Sequence, residues 1–321
     1  MNISKFNHQV PRVTIALPVY NGENYVRKAL DSLLAQSYED FEILIGDNAS
    51  TDNTQNICQS YAKQDARIQY FRNDTNIGAA ANYNRLFERA RGEFFKWAAH
   101  DDVCSPDYLK SCVEKLDSDA SVVLCCPKEV AIDKNGEVIE NYMDKYQKLN
   151  HLNSTATYRR FHDLSCRNHG CYQVFGLIRT LALKQTPKIA NYLGSDRVLL
   201  AELALMGRFW ESPEPIYLRR HSEQYCALQD DKARTAWFNP NTGRKFSFTD
   251  SDNFFEYIKA IQRVNLRFLD KVLCYLVMID WLKRKRHRLF KELKWLVSST
   301  QARQDFSQKR GWGTSNLSSE K

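Results

Sequence analysis

The chain lacks the glycine-rich signatures that mark many nucleotide-binding sheets. No strand-like run is followed by GxGxxG, and GxxxxGK[ST] is absent. This argues against a dinucleotide-binding dehydrogenase and against a P-loop enzyme. Paired cysteine spacing is missing too: the nine cysteines are scattered, odd in number and form no CxxC. That argues against structural zinc and favours free thiols in a reducing compartment. No secretory signal opens the chain, so a cytoplasmic location is expected. The longest apolar run near the end, Val272 to Leu282, is short, contains Asp280 and cannot span a bilayer as a helix.

What is present is ordinary in amount and uneven in placement. With 43% hydrophobic and 26% charged residues, 321 residues suit one large α/β domain or a domain with an appended module. The net charge is +8. From Glu256 onward there are 15 Lys+Arg against 6 Asp+Glu, and before it 31 against 32. A neutral body therefore carries a basic C-terminal part, which suits an anionic surface.

Apolar runs alternate with helical spacing through the first half. Arg12–Tyr20, Phe41–Asp47, Arg67–Phe71 and Phe94–Asp102 read as strands. Glu23–Gln36, the stretch to about Lys63 and Ala79–Arg91 read as the helices between them. This β-α-β-α-β-α-β order predicts a mostly parallel sheet flanked by helices. The strand ends gather Tyr20-Asn21, Asp47-Asn48, Asn76 and His100-Asp101-Asp102 on one rim, where open α/β sheets bind ligands. Adjacent carboxylates at such an end offer hard oxygen ligands to Mg²⁺ or Mn²⁺, which usually share their shell with substrate phosphates. The bland alternative is an Asp pair capping the helix near Pro106.

Five ordered pieces carry a family resemblance. They are Leu17-Pro18-Val19-Tyr20-Asn21, Ala29 to Tyr38, Phe41 to Asp52, Asn76-Ile77-Gly78 and Asp101-Asp102. Residues 12–127 resemble the nucleotide-sugar-binding half of a family 2 glycosyltransferase with the GT-A fold, a Rossmann-like sheet. The resemblance implies that Pro18, Val19, Tyr20, Asn21, Asp47, Asn48 and Asn76 hold the nucleoside. It also implies that Asp101-Asp102 form the DxD-type motif, with Asp102 the more direct metal ligand. Two departures stand out. Asn48 replaces an acid often found there, which leaves the preferred base open, and His100 stands where many members carry another acid, where packing or support suits it better than sugar contact.

The second half reads as the acceptor side. Ile132–Ile139 has an Asn-Gly hairpin signature, Tyr172–Arg179 reads as a strand, and Arg197–Leu205 as an apolar helix ended by Gly207. Asp196 opens that helix, as an N-cap acid or, by the resemblance, as the general base of an inverting transfer, with Glu202 as its rival. Phe209-Trp210 begins one strand and Pro215–His221 reads as another; Arg219 and Arg220 at its end suit a diphosphate or acceptor clamp, and His221 suits a metal shell, with a solvated charged edge as the alternative. Residues 222–250 suit a lid or acceptor loop. Seven Lys/Arg between Lys283 and Lys294 alternate with apolar residues, as on a basic amphipathic helix at an anionic membrane or on a helix with a solvated face.

The expected divisions are a loose 1–11, the donor half 12–127, the acceptor half 128–250, basic amphipathic helices over 251–299 and a disordered tail 300–321. The expected activity moves a sugar from a nucleoside-diphosphate sugar to a glycan or lipid-linked acceptor in glycan or cell-surface polysaccharide synthesis. Mg²⁺ or Mn²⁺ would assist, with the protein at the inner membrane face. The rivals are a nucleotidyltransferase and a non-catalytic membrane- or nucleic-acid-binding scaffold. The loop Tyr20–Asn24 is not basic, against the first, and the polar rim argues against the second, so nucleic acid is not an expected partner.

Overall fold

The computed structural model describes residues 10–139, 148–221, 231–238 and 248–298. Strands β1 (Val13–Val19) and β2 (Phe41–Asp47) are buried along their whole length. That is why they read as continuous apolar runs: a parallel sheet covered on both faces has no polar side. Helix α1 (Val26–Leu34) buries Val26, Ala29, Leu30 and Leu33, one face at helical spacing. It carries the chain from β1 to β2, α2 (Thr54–Gln64) leads to β3 (Ile68–Arg72), and α3 (Ala79–Phe87) leads to β4 (Phe94–Trp97). The crossovers make β1, β2, β3 and β4 parallel, so their carboxyl ends meet at one rim. Gly92 allows the close approach before β4, since a Cβ there would meet the Thr14 backbone nitrogen at 2.6 Å.

The sheet of eight described strands runs β3-β2-β1-β4-β7-β6-β8-β5. After β4 the chain forms the two-residue β5 (Val103–Cys104), then α4 (Tyr108–Ser118) and β6 (Val122–Ile132). Helix α5 (Thr157–Cys166) precedes β7 (Leu177–Arg179), which lies antiparallel between β4 and β6. Next come α6 (Thr180–Lys184), α7 (Ser195–Met206) and β8 (Arg208–Arg220). Strand β8 runs parallel to β6 and antiparallel to β5. The strands after β4 thus mix both directions beside a parallel half.

Three expectations shift. Tyr172–Phe175 forms a short 3₁₀ turn, and the strand is only Leu177–Arg179. The two strands expected around Phe209 and Tyr217 are one, whose ladder with β6 absorbs the prolines through register shifts. Within 222–250, residues Asp231–Phe238 form helix α8, and 222–230 and 239–247 lie outside the described residues. The Asn-Gly turn is present, with Gly136 at φ +102° and Asp133 Oδ1 accepting from the amides of Asn135, Gly136 and Glu137, each within 2.9 Å.

One sheet face packs on α1, α2 and α4 through residues such as Leu30, Leu33, Ile57 and Leu109. The other packs on α3, α5, α7, α9 (Thr249–Arg263) and α10 (Phe268–Ser298), around Trp97, Phe161, Leu199, Tyr257 and Trp281. Truncating a fully buried ring such as Trp97 to alanine would cost about 3–5 kcal/mol. The expected C-terminal helices are therefore seated on the core, and the expected tail, 300–321, lies outside the described residues.

Candidate active site

The rim is built first from the loops after β1 and β2. Asn21 and Ala49 both sit in the left-handed region, at φ 52° and 62°. These conformations let the loops interlock: the Asn21 amide donates to Ser50 Oγ at 2.9 Å, Thr51 N to Asn21 Oδ1 at 2.8 Å, and Gly22 N to Thr54 Oγ1 at 2.8 Å. Pro18 and Val19 are buried in β1, and Tyr20 emerges 41% exposed.

Asp47 is fully buried beneath this rim. Its Oδ2 accepts from the Tyr70 hydroxyl at 2.6 Å and from Arg72 at 2.5 Å, and its Oδ1 accepts from the Ser50 amide at 2.8 Å. Asn48 Oδ1 accepts from Asn73 Nδ2 and from the Ile77 amide, both at 3.0 Å, and its Nδ2 donates to Asn76 Oδ1 at 2.8 Å. An amide both donates and accepts, so Asn48 can tie the β2 and β3 ends together as a carboxylate could not. The structure thus brings Asp47, Asn48 and Asn76 together and spends much of their bonding on rim architecture.

The second wall follows β4. Ala98 N donates to Ala16 O at 2.8 Å, and the chain then turns into β5, whose pairing with β8 sets Val103 opposite Leu218 and Cys104 opposite Tyr217. That pairing delivers two donors to Asp102: the Tyr217 hydroxyl to Oδ2 and the Arg220 amide, at 2.8 Å, to Oδ1. Asp102 is 6% exposed, and burial next to Asp101 pushes its carboxyl up to about 7. Asp101 is half-buried, no side chain donates to its carboxylate among the described residues, and burial raises it to about 6. His100 packs against the β1 loop: a Cβ on Gly22 would lie 2.7 Å from its ring. Burial lowers the His100 pKa.

Below Asp102 lies Lys96, fully buried, its Nζ donating to Phe175 O at 2.5 Å. The ammonium sits 4.5 Å from the Tyr108 ring centroid and 5.0 Å from that of Tyr217, so cation–π contacts replace part of its lost hydration. Desolvation lowers its pKa.

Arg219 and Arg220 do not present a phosphate clamp. β8 is an interior strand, and both residues are buried, 3% and 2% exposed. Arg219 faces the buried Glu129, whose carboxyl burial pushes up to about 8. Arg220 donates Nε to Asp101 O at 3.0 Å and Nη1 to Asp133 O and Lys134 O at 2.8 and 3.1 Å, with its guanidinium 4.8 Å from the Tyr25 ring centroid. It holds the Asp101 backbone instead of a ligand. His221 donates its amide to Ile132 O at 2.7 Å. It does not join Asp101 and Asp102 in a cluster of metal-ligating atoms. Among the described residues that grouping occurs only at His162, Cys166 and Asp280, on α5 and α10, where Asp280 is paired with Arg284 at 2.6 Å.

Asp196 occupies the first turn of α7, after Gly194 at φ +89°. Its Oδ1 accepts from the Arg197 amide at 2.9 Å, and the Cys171 thiol donates to His169 O at 4.0 Å. Arg197 ties α7 to the preceding segment through Arg167 O and His169 O, both at 2.9 Å. His169 bonds Leu164 O at 2.9 Å through Nε2 and accepts the Cys171 amide on Nδ1; burial drives its pKa down to about 3. Glu202 is fully buried in a two-point pair with Arg263 at 2.8 Å, which removes it as a base. Sequence reading missed Tyr217, Lys96, Glu129, His169 and Cys171. Topology alone brings Tyr217 and Lys96 to Asp102, Glu129 to Arg219, and His169 and Cys171 to the start of α7, and no motif announces them.

Among the solved structures with which the structure aligns are two in complex with nucleotide sugars. One is TarS 1-349 from S. aureus in complex with UDP-GlcNAc, with a TM-score of 0.58 and 20% identity over 85% of this chain and 72% of that one. The other is the mannosyltransferase PcManGT from Pyrobaculum calidifontis in complex with GDP-Man and Mn²⁺, with a TM-score of 0.54 and 17% identity over 92% and 83%. The architecture is the GT-A fold. The glycosyl transferase family 2 model matches residues 14–186, more than half of the chain, and the protein belongs to that family. An uncharacterized glycosyltransferase of Rickettsia typhi is 37% identical over 124 residues, 38% of this chain and 38% of that protein, so the match spans well under half the relative's length.

Proposed function

We propose that the protein is an inverting glycosyltransferase that moves a sugar from a nucleoside-diphosphate sugar to a hydroxyl of a glycan or lipid-linked acceptor, in glycan or cell-surface polysaccharide synthesis. The observation that carries this is the division of labour between adjacent carboxylates. Asp102 has one oxygen bonded by Tyr217 and the other by Arg220, and Asp101 has no side-chain partner among the described residues. A partly exposed carboxylate beside the nucleoside rim fits Mg²⁺ or Mn²⁺, both of which prefer oxygen ligands and complete their shells with phosphate and water. Asp101 would hold such an ion, with Asp102 fixing the turn. When bound, the ion supplies positive charge against the diphosphate of the leaving group.

The chain's own residues do the rest. Tyr20 and the interlocked β1 and β2 loops form the nucleoside side of the cleft. Asp196 accepts the proton of the acceptor hydroxyl as that oxygen bonds to the anomeric carbon and the bond to the nucleoside diphosphate breaks. A positioned base of this kind contributes roughly 10²–10⁴-fold. The Arg197 amide orients its carboxylate. The test is differential scanning fluorimetry with a panel of nucleoside diphosphates, with and without Mn²⁺. One nucleotide should stabilise the wild type in a metal-dependent way and fail on Asp101→Ala. No shift with any nucleotide on folded protein would overturn the donor site.

A further inference from the structure

Helix α10 is 31 residues long, about 46 Å at 1.5 Å per residue. One face is seated on the core through Cys274, Val277, Met278, Trp281 and Glu292. The opposite face carries Leu269, Val272, Leu276, Ile279, Phe290, Leu293 and Val297, which are 37–68% exposed. Their spacing alternates three and four, and the two places the series skips, 283 and 286, hold the exposed Lys283 and Arg286. The result is one stripe: four apolar residues, two cations, three apolar residues. Among the described residues no helix is long and apolar enough to cross a membrane.

The acids of the helix are accounted for elsewhere. Asp270 pairs with Arg267 at 2.8 Å and Asp280 with Arg284 at 2.6 Å. Glu292 is buried and accepts from the Asp250 and Ser251 amides at the start of α9. Exposed Lys291 and Lys294 flank the distal apolar end. The face is therefore apolar with cations and no competing carboxylate.

We infer that this stripe is a docking surface for an anionic lipid bilayer, with α10 lying in the interfacial plane. The charge placement selects lipid over a second copy of the chain. Residue 283 is the midpoint of the stripe, so pairing with an identical stripe sets Lys283 against its own copy in either direction, with Arg286 against its own copy when parallel and against the apolar Ile279 when antiparallel. An anionic headgroup layer meets the same cations with opposite charge, while the apolar ends enter the acyl boundary. This deepens the acceptor side of the function proposed above and rests on that reading only for the acceptor's membrane location.

The experiment uses the full chain in flotation with vesicles of phosphatidylcholine alone or with 30% phosphatidylglycerol. Lys283→Glu/Arg286→Glu and Phe290→Glu/Leu293→Glu change exposed residues only. Wild type should float with anionic vesicles and not with neutral ones. The charge variant should lose about fivefold or more in affinity per cation removed, and the apolar variant should also detach. Both should keep the wild-type melting temperature and nucleotide-induced shift, which separates failure at the membrane from failure of the donor site. Equal binding to neutral vesicles, or retained binding by both variants, overturns the inference. So does a wild-type dimer that the apolar variant converts to monomer without any vesicle binding.

Discussion

Replacing Asp101 and Asp102 one at a time separates their roles. Asp102→Ala removes a buried acceptor of two hydrogen bonds and leaves the Tyr217 hydroxyl and the Arg220 amide without that partner. An orphaned buried donor costs about 1–3 kcal/mol. Part is returned, because burial disfavours the ionised form of this carboxyl, which sits near 7. A net loss of about 1–3 kcal/mol remains, roughly 3–10 °C in melting temperature at about 2–4 °C per kcal/mol. Asp101→Ala removes a carboxylate without a side-chain partner, so its effect should stay within about 0.5 kcal/mol. Ligand response reverses the order. At a nucleotide–Mn²⁺ concentration of about 100 Kd, binding stabilises wild type by about 2.7 kcal/mol. Asp101→Ala should erase that increment, and Asp102→Ala should keep part of it on a lower baseline. Differential scanning fluorimetry of three proteins, with and without nucleotide and Mn²⁺, reads both quantities. If Asp102→Ala melts like wild type and loses the metal-dependent shift while Asp101→Ala keeps it, the assignment is refuted.

Ala49 holds φ 62°, a region that favours glycine, so Ala49→Gly should stabilise by about 0.5–1 kcal/mol after the greater freedom of an unfolded glycine is subtracted; a lower melting temperature would show that its methyl contacts outweigh the backbone strain. His169 is neutral in the fold, with its pKa lowered to about 3 against about 6.5 in the unfolded chain. The unfolded state alone takes the proton as pH falls below 6.5, so this residue should remove about 2 kcal/mol of stability between pH 7 and pH 5. Urea unfolding of His169→Gln should show a pH slope shallower by that amount, and an unchanged slope would sink the assignment. Arg220→Lys keeps the charge but cannot span three carbonyls and stack on Tyr25, so it should destabilise by about 1–3 kcal/mol and weaken metal-dependent nucleotide binding; wild-type values for both would show that Arg220 does not set the Asp101 turn.

Much of the first, parallel half was legible because a doubly covered parallel sheet writes its strands as unbroken apolar runs, as in Val13–Val19 and Phe41–Asp47. The same rule hides the other half. Tyr172–Phe175 has the composition of a strand, yet buried turns are equally apolar, and it forms a 3₁₀ turn. The prolines near Pro213 suggest two strands, and the parallel ladder with β6 tolerates them by shifting register. Arg219-Arg220 looked like an exposed edge or a phosphate clamp because charge pattern says nothing of strand position. Pairing with both β6 and β5 makes β8 interior and turns the same residues into internal supports. Of the Asp pair, sequence gives the location and not the roles, since only the distant Tyr217 and Arg220 distinguish one carboxylate from its neighbour.

The topology explains why those supports come from so far along the chain. Strand β5 follows the Asp pair immediately in sequence but sits at the far end of the sheet from β3. The Asp101-Asp102 turn is thereby suspended between β1, through Ala98 and Ala16, and β8, through Val103 and Leu218. Arg220 extends the suspension to the Asn-Gly turn through Asp133 and Lys134. A loop free at one end would lose its geometry to thermal motion, whereas one anchored on strands of both halves is positioned by the whole sheet. The same anchoring makes Asp101 and Asp102 sensitive to the position of β8. Any displacement of β8 reaches Asp102 through two direct hydrogen bonds and Asp101 through its own carbonyl. A physical path from β8 to the Asp101-Asp102 turn is thus built into the strand order, and it runs through the buried Tyr217, Arg220 and Asp102.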